Sequence, residues 1–165
     1  MLFGYAFLSN VALAAVPHEP IVIWYGQQLG VWRTALVATG GTVAASWVDH
    51  RVLEPVIGRA ASRPELWSGP LGKVRSLFGR APFAIITLSG VTPLPFFPFK
   101  ALAFAARYPV GRYLAAVAAG RLPRYLLLAW IGVVIHVPAW LLAGLFALLV
   151  LPSLRMLLWK RPSAK

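Results

Sequence analysis

Residues 125–151 have the sequence YLLLAWIGVVIHVPAWLLAGLFALLVL, and this stretch decides the fold class. No Asp, Glu, Lys or Arg occurs in it or in the next three residues. A helix that crosses a bilayer needs roughly 20 predominantly apolar residues. The stretch therefore predicts a spanning helix that contains His136 and Pro138, and it indicates a membrane protein.

The rest of the chain has the same apolar character. Three further stretches carry no charged residue, at residues 1–18, 34–48 and 81–99, and 59% of all residues are hydrophobic. Soluble domains are typically about 45–50% apolar, so the excess must face lipid. We predict an all-α integral membrane protein that consists of spanning helices and two re-entrant helical hairpins.

Prolines divide two of the apolar stretches into half-length pieces. A proline removes a backbone donor, and non-helical backbone at membrane depth persists only where protein or water satisfies it. We therefore expect each hairpin to turn at prolines, namely Pro17 in the first and Pro93, Pro95 and Pro98 in the second. Broken segments at corresponding positions of two halves are typical of transporters.

These observations predict a single membrane domain over residues 1–154. Its expected segments are a re-entrant hairpin at about 8–30, a helix at 33–48, a cytoplasmic loop at 49–80, a second re-entrant hairpin at about 81–99, helices at 101–120 and 125–151, and a basic C-terminal tail at 155–165. Gly40 and Gly41 in the first helix would let another helix approach closely.

The formal net charge is +12, from 16 basic and 4 acidic residues. Most cations lie between the apolar stretches, as in cytoplasmic loops, and not on one face of a soluble domain, as nucleic-acid binding requires. We expect membrane lipids with anionic headgroups as partners and no nucleic acid; a homo-oligomer is compatible with the pattern. The positive-inside rule places the 49–80 loop and the C-terminus in the cytoplasm.

Glu19 is the most informative residue, because it is the first acid in an otherwise apolar half of the chain. An ionisable group at membrane depth is expensive and indicates function; the alternative is an interfacial carboxylate that caps the following helix. Burial disfavours a charged carboxylate and a nearby cation favours it, so Glu19 is our candidate proton-responsive group. Its cation should come from the second half, from Lys100 or Arg107.

Three cations are candidates for binding a lipid phosphate: Lys100, Arg107 and Arg112. The alternative is that their side chains extend to the headgroup region from apolar helices. His136 fits a packed helix histidine better than a ligand or a proton relay.

Catalytic motifs are scarce. The chain has no cysteine and only three histidines, so thiol chemistry and Cys-ligated zinc are excluded. His50 and Glu54 are four residues apart and could hold a metal with Asp49, but a solvated helix end explains them better. We expect no enzyme activity, no metal and no cofactor.

The pattern resembles the DedA / VTT-domain family, also called the SNARE-associated Golgi protein family. An apolar segment leads into Val16-Pro17-His18-Glu19, a short apolar piece follows, and then a Gly-rich helix with Ala38-Thr39-Gly40-Gly41. The family's second half has a proline-containing re-entrant element, and residues 92–100, TPLPFFPFK, look similar. Two arginines that often flank the family's second-hairpin proline fall at Gly90 and Phe96 here, so both are missing.

The resemblance implies translocation or scrambling of phosphate-bearing lipids, with proton coupling through the glutamate, in a bacterial inner (cell) membrane. One alternative is a non-transporting membrane scaffold or subunit that binds a partner protein through Gly40-Gly41 and the basic loop. Another alternative, an enzyme acting on lipid phosphates, lacks a metal site or nucleophile in this sequence.

Overall fold

The structure is a computed structural model that describes residues 1–11, 18–62, 65, 70–92 and 96–158. The described residues form helices and no β-strand, in agreement with the all-α prediction. The helices are α1 (Leu2–Asn10), α2 (Glu19–Leu29), α3 (Val31–Ala60), α4 (Pro70–Arg80), α5 (Pro82–Val91), α6 (Phe97–Ala105), α7 (Val110–Ile135) and α8 (Ala139–Leu158).

The order of elements repeats once along the chain. Two short helices precede a long one in α1–α2–α3 and again in α5–α6–α7. The chain leaves the helical conformation at Val11 and, in the second half, at Thr92, whose φ and ψ of −78° and 158° are extended. The second apolar segment is therefore two helices and not one continuous helix, as the prolines predicted. Pro98 lies in the first turn of α6; Pro17, Pro93 and Pro95 lie outside the described residues.

The halves are interlocked by their packing. The first short helix of each half packs on the long helix of its own half, α1 on α3 and α5 on α7. The second short helix packs on the long helix of the other half, α2 on α7 and α6 on α3, and the two long helices pack on each other. Neither half therefore forms a separate packed unit.

Glycines set the distance between these helices. A Cβ atom on Gly41 would lie 2.6 Å from the carbonyl oxygen of Phe3 in α1, as the Gly40-Gly41 pair predicted. Gly120 of α7 occupies the corresponding place against α5, since its Cβ would clash with the carbonyl oxygen of Thr87. A Cβ atom on Gly90 would lie 3.1 Å from the Cα atom of Gly120. This close approach of α5 and α7 leaves no room at position 90 for the arginine that the DedA / VTT-domain family often has there.

The polarity of α3 is the reverse of that of a helix in a soluble protein. Its buried face consists of small and polar residues, including Thr34, Ala38, Thr42, Ser46 and Asp49. Its exposed side carries large apolar side chains: Trp32, Leu36, Val37, Trp47, Val52 and Val56. Small residues at helix contacts, with polar groups joining helices, are typical of packing inside a membrane.

Four of the expected segments differ from the structure. Helix α3 continues beyond residue 48 to Ala60. The charged residues at the start of the expected 49–80 loop are therefore helical, and Pro55 is accommodated inside the helix. A second helix, α4, occupies another part of that loop. The expected helices 101–120 and 125–151 are instead α6, α7 and α8, because Pro123 lies inside α7 and the true breaks are at 106–109 and 136–138.

Candidate functional site

Two ion pairs join the halves of the chain, and each lies between a long helix and a short one. In the first, Arg124 Nη2 of α7 lies 2.6 Å from Glu19 Oε1 at the start of α2. In the second, Lys100 Nζ of α6 lies 2.5 Å from Asp49 Oδ2 of α3. Each pair thus connects the second short helix of one half to the long helix of the other.

The Glu19–Arg124 pair also contacts the end of α5, where the second apolar segment is interrupted. Arg124 Nη1 donates a hydrogen bond of 2.5 Å to the carbonyl oxygen of Thr92, where α5 ends. One guanidinium therefore holds the start of α2 and the end of α5 together. The cation expected for Glu19 does come from the second half, but it is Arg124, and not Lys100 or Arg107. The side chain of Glu19 is 32% exposed.

The Lys100 pair has the same construction and is more deeply buried. Lys100 Nζ also donates to the carbonyl oxygen of Asn10, the last residue of α1, at 3.3 Å. The side chains of Lys100 and Asp49 are 3% and 4% exposed. The interpretation of Asp49 as part of a solvated helix end was therefore wrong, because the helix continues past it and Lys100 supplies its counter-charge.

A hydrogen-bonded chain runs beside the Glu19 pair. The Tyr125 hydroxyl lies 2.8 Å from Nε2 of His18 and 2.9 Å from the Thr42 hydroxyl. All three side chains are buried, and they join the residue before α2 to both long helices. His18 and Tyr125 are the sequence neighbours of Glu19 and Arg124, so the ion pair and this chain form one polar centre.

Arg121 is, with Lys100, one of two buried cations among the described residues, and sequence reasoning missed it. It lies on α7 and is 5% exposed. Its Cζ atom lies 5.0 Å from the centroid of the Phe96 ring, and Lys100 Nζ lies 5.8 Å from the same centroid. Phe96 is the N-cap residue of α6, so both cations contact the side chain of the residue at which that helix begins.

The other predicted site residues lie elsewhere. Arg107 and Arg112 are exposed, and Arg107 has a φ of 49° just after α6. His50 contacts the rings of Phe104 and Tyr113. His136 is not a packed helix residue: it is exposed and ends α7 with a φ of 48°. Within the described ranges no group of three or more potential ligands could hold a metal ion.

The fold and this site define a helical protein of two similar halves, each with a broken helix followed by a long unbroken one. The VTT domain family matches residues 16–134, and the chain belongs to this family, as the resemblance predicted. Its members are generally membrane proteins. Comparisons with curated proteins and with solved structures gave no match.

Helix α7 agrees with that family membership. Among the described helices it is the one that is long and apolar enough, over Val110–Ile135, to cross a membrane. The family and this helix together indicate a membrane protein.

Proposed function

We propose that this protein translocates or scrambles phosphate-bearing lipids in a bacterial inner membrane, with Glu19 as the proton-responsive group. The observation that carries the proposal is the junction at Arg124. A carboxylate, a guanidinium and the ends of two broken helices meet there, in a chain whose outer surface is rich in large apolar side chains. Ionisable groups inside a membrane generally mark pathways for ions, protons or polar substrates.

The ion pair suggests how a proton could act. While Glu19 is charged, it occupies Arg124, and the opposite charge favours that ionised form. Protonation of Glu19 removes the negative partner and leaves the guanidinium with the Thr92 carbonyl oxygen. Arg124 is then available to a phosphate, to which arginine donates paired hydrogen bonds. Proton uptake by Glu19 would thus free Arg124 to bind a headgroup, and loss of the proton would return Arg124 to Glu19.

An apolar groove begins beside this junction and suits a lipid chain. It has a volume of about 370 Å³ and lies between α2 and α8. Its lining includes Pro20, Trp24, Leu142 and Phe146. Pro20 directly follows Glu19 in the sequence, so a lipid whose headgroup reached Arg124 could place its apolar chain in this groove.

Reconstitution tests the proposal with this protein as the only protein component. Fluorescent phospholipid and polyprenyl phosphate analogues would be followed across vesicle membranes at pH values on both sides of neutrality. We expect lipid movement whose rate depends on pH in the parent, no pH dependence in Glu19→Gln, and partial activity in Glu19→Asp, because the charge remains on a shorter side chain.

Glu54→Gln is the matched control, since Glu54 lies on α3 at the side of a different pocket, with His50 and Arg51. This variant should transport as the parent does. Equal transport by Glu19→Gln and parent at every pH would refute the proton-coupled mechanism. Vesicles with protein that move lipid no faster than empty vesicles would favour the non-transporting scaffold.

We also propose that the region at 49–80 and the C-terminus face the cytoplasm. Residues 63 and 160, which lie outside the described ranges, are suitable labelling positions because the chain has no native cysteine. Single cysteines there should react with an impermeant reagent from the same side of the membrane. Labelling from opposite sides would refute this orientation.

A further inference from the structure

Helix α4 has an apolar face that the protein covers only in part. Val74, Leu77 and Phe78 have the spacing that places side chains on one side of a helix. Phe78 is 2% exposed and belongs to the same core cluster as Ile86 of α5. Val74 and Leu77 are 46% and 61% exposed. Phe78 therefore fixes α4 against the protein, while the rest of its apolar face is open.

The cations of α4 border this open apolar face. Lys73 precedes Leu77 by four residues and Arg80 follows it by three, so both lie beside Leu77 on the helix surface. The side chains of Lys73, Arg75 and Arg80 are exposed. The sequence of α4 contains no acidic residue. The helix is thus basic and amphipathic.

The neighbouring helix places α4 at one end of the apolar surface. A single residue, Ala81, separates α4 from α5, and its φ and ψ of −148° and 58° interrupt the helix there. Helix α4 packs on α5, whose exposed side carries Phe83 and Leu88. In a membrane protein such side chains face lipid hydrocarbon. A charged helix that is joined to the start of α5 then lies at the level of the headgroups.

We infer that α4 lies in the plane of the membrane interface, and that Lys73 and Arg80 concentrate anionic phospholipids around it. A basic helix with a distinct apolar face and low overall hydrophobicity places that face at the boundary between headgroups and acyl chains. Its cations then meet the anionic headgroups. These lipids surround the outer surface of the protein, so the inference does not rest on the proposed transport.

Fluorescent labels on the two sides of α4 test its position. The chain has no native cysteine, so Leu77→Cys and Gly79→Cys can each carry a bimane label in nanodiscs. Position 79 lies about 200° around the helix from position 77, and a Cβ atom there meets no atom of another helix within 4 Å. We expect nitroxide lipids to quench the label at position 77, and aqueous iodide to quench the label at position 79.

Two results of this experiment would overturn the inference. Equal quenching of both labels by iodide would mean that α4 is surrounded by water. A label at position 77 that is shielded from iodide and from nitroxide lipids would mean that a second copy of the chain, or another protein, covers this face.

Nitroxide lipids with different headgroups test the charge. In nanodiscs of phosphatidylcholine and phosphatidylglycerol, labelled phosphatidylglycerol should quench position 77 at least about twofold more strongly than labelled phosphatidylcholine, because cations near the surface attract anionic lipid. Lys73→Gln/Arg80→Gln should remove this preference, and Lys73→Arg/Arg80→Lys should keep it. Arg112→Gln, which removes an exposed cation from α7, should also keep it. A label at Leu88→Cys should show a weaker preference.

Equal quenching by the two nitroxide lipids at position 77 would overturn the inference. So would a preference that survives Lys73→Gln/Arg80→Gln, or one that is as strong at position 88. The vesicle assay of lipid movement is a separate measurement. Anionic lipid concentrated at α4, in a protein that moves no lipid, would support this inference and refute the transport function.

Discussion

The two crossed ion pairs share one construction but differ in exposure. In each, a cation from the second half of the chain meets an acid from the first half and also donates to a backbone carbonyl at the C-terminal end of a short helix. Asp49 is 4% exposed and Glu19 is 32% exposed. The difference teaches that one arrangement can be sealed or partly open to solvent, and the proposed function assigns the proton-responsive role to the open pair.

The largest effect should come from breaking the sealed pair. Asp49→Asn leaves Lys100 buried with no charged partner, and losing one member of a buried pair typically costs about 3–5 kcal/mol. We expect a greatly reduced folded yield and melting temperature in detergent. The double variant Asp49→Asn/Lys100→Met should recover much of the loss; no recovery would mean that the residues do not act as a pair.

The helix contacts next to these pairs should respond less strongly. Gly120→Ala places a methyl group against the Thr87 carbonyl oxygen and Gly41→Ala places one against Phe3, and overpacking typically costs about 1–3 kcal/mol. Both losses should appear in thermal unfolding and be of similar size if the halves are equivalent. Gly111→Ala and Gly40→Ala are the controls, since neither meets a neighbour closer than van der Waals contact.

The open pair should contribute less to stability than the sealed one. Glu19→Gln retains the shape of the side chain and can still accept a hydrogen bond from Arg124, and partly exposed pairs contribute about 1 kcal/mol or less. Its melting temperature should stay near that of the parent, while pH-dependent lipid movement is lost. A loss of stability as large as that of Asp49→Asn would show that both pairs are anchors.

The smallest effect should come from a surface cation. Arg112 is exposed on α7, and substitutions at such positions usually change stability by no more than about 0.5 kcal/mol. Arg112→Gln should therefore unfold at the temperature of the parent. A destabilisation equal to that of the open pair would mean that Arg112 contacts something besides solvent or lipid headgroups.

The sequence was sufficient for the features that depend on composition and on local breaks. The isolation of Glu19 among apolar residues made it a candidate site residue, and the structure places it in an ion pair with a cation of the second half. The proline-rich segment after residue 91 predicted the interruption between α5 and α6. The repeated order of broken and unbroken segments was also recognisable. These features are local, so one sequence contains the information for them.

The sequence was insufficient for partners and for burial. Arg124 is 105 residues from Glu19, and it was expected between two helices, at 101–120 and 125–151, where α7 is continuous. Asp49 looked solvated because charged residues follow it, and its burial became evident only when α3 extended past it to meet α6. Arg121 had no distinguishing pattern around it, because its burial depends on how α7 packs.

The crossed pairing also has a consequence for biosynthesis. Both acids are made before their cations, Asp49 by 51 residues and Glu19 by 105. At a synthesis rate of about 5–20 residues per second, Glu19 waits roughly 5–20 s for Arg124. During that time the nascent first half has acids intended for the interior whose partners in the second half are not yet made. Asp49 must remain hydrated, protonated or shielded by the insertion machinery until Lys100 of α6 has been made, and Glu19 until Arg124 of α7 has been made.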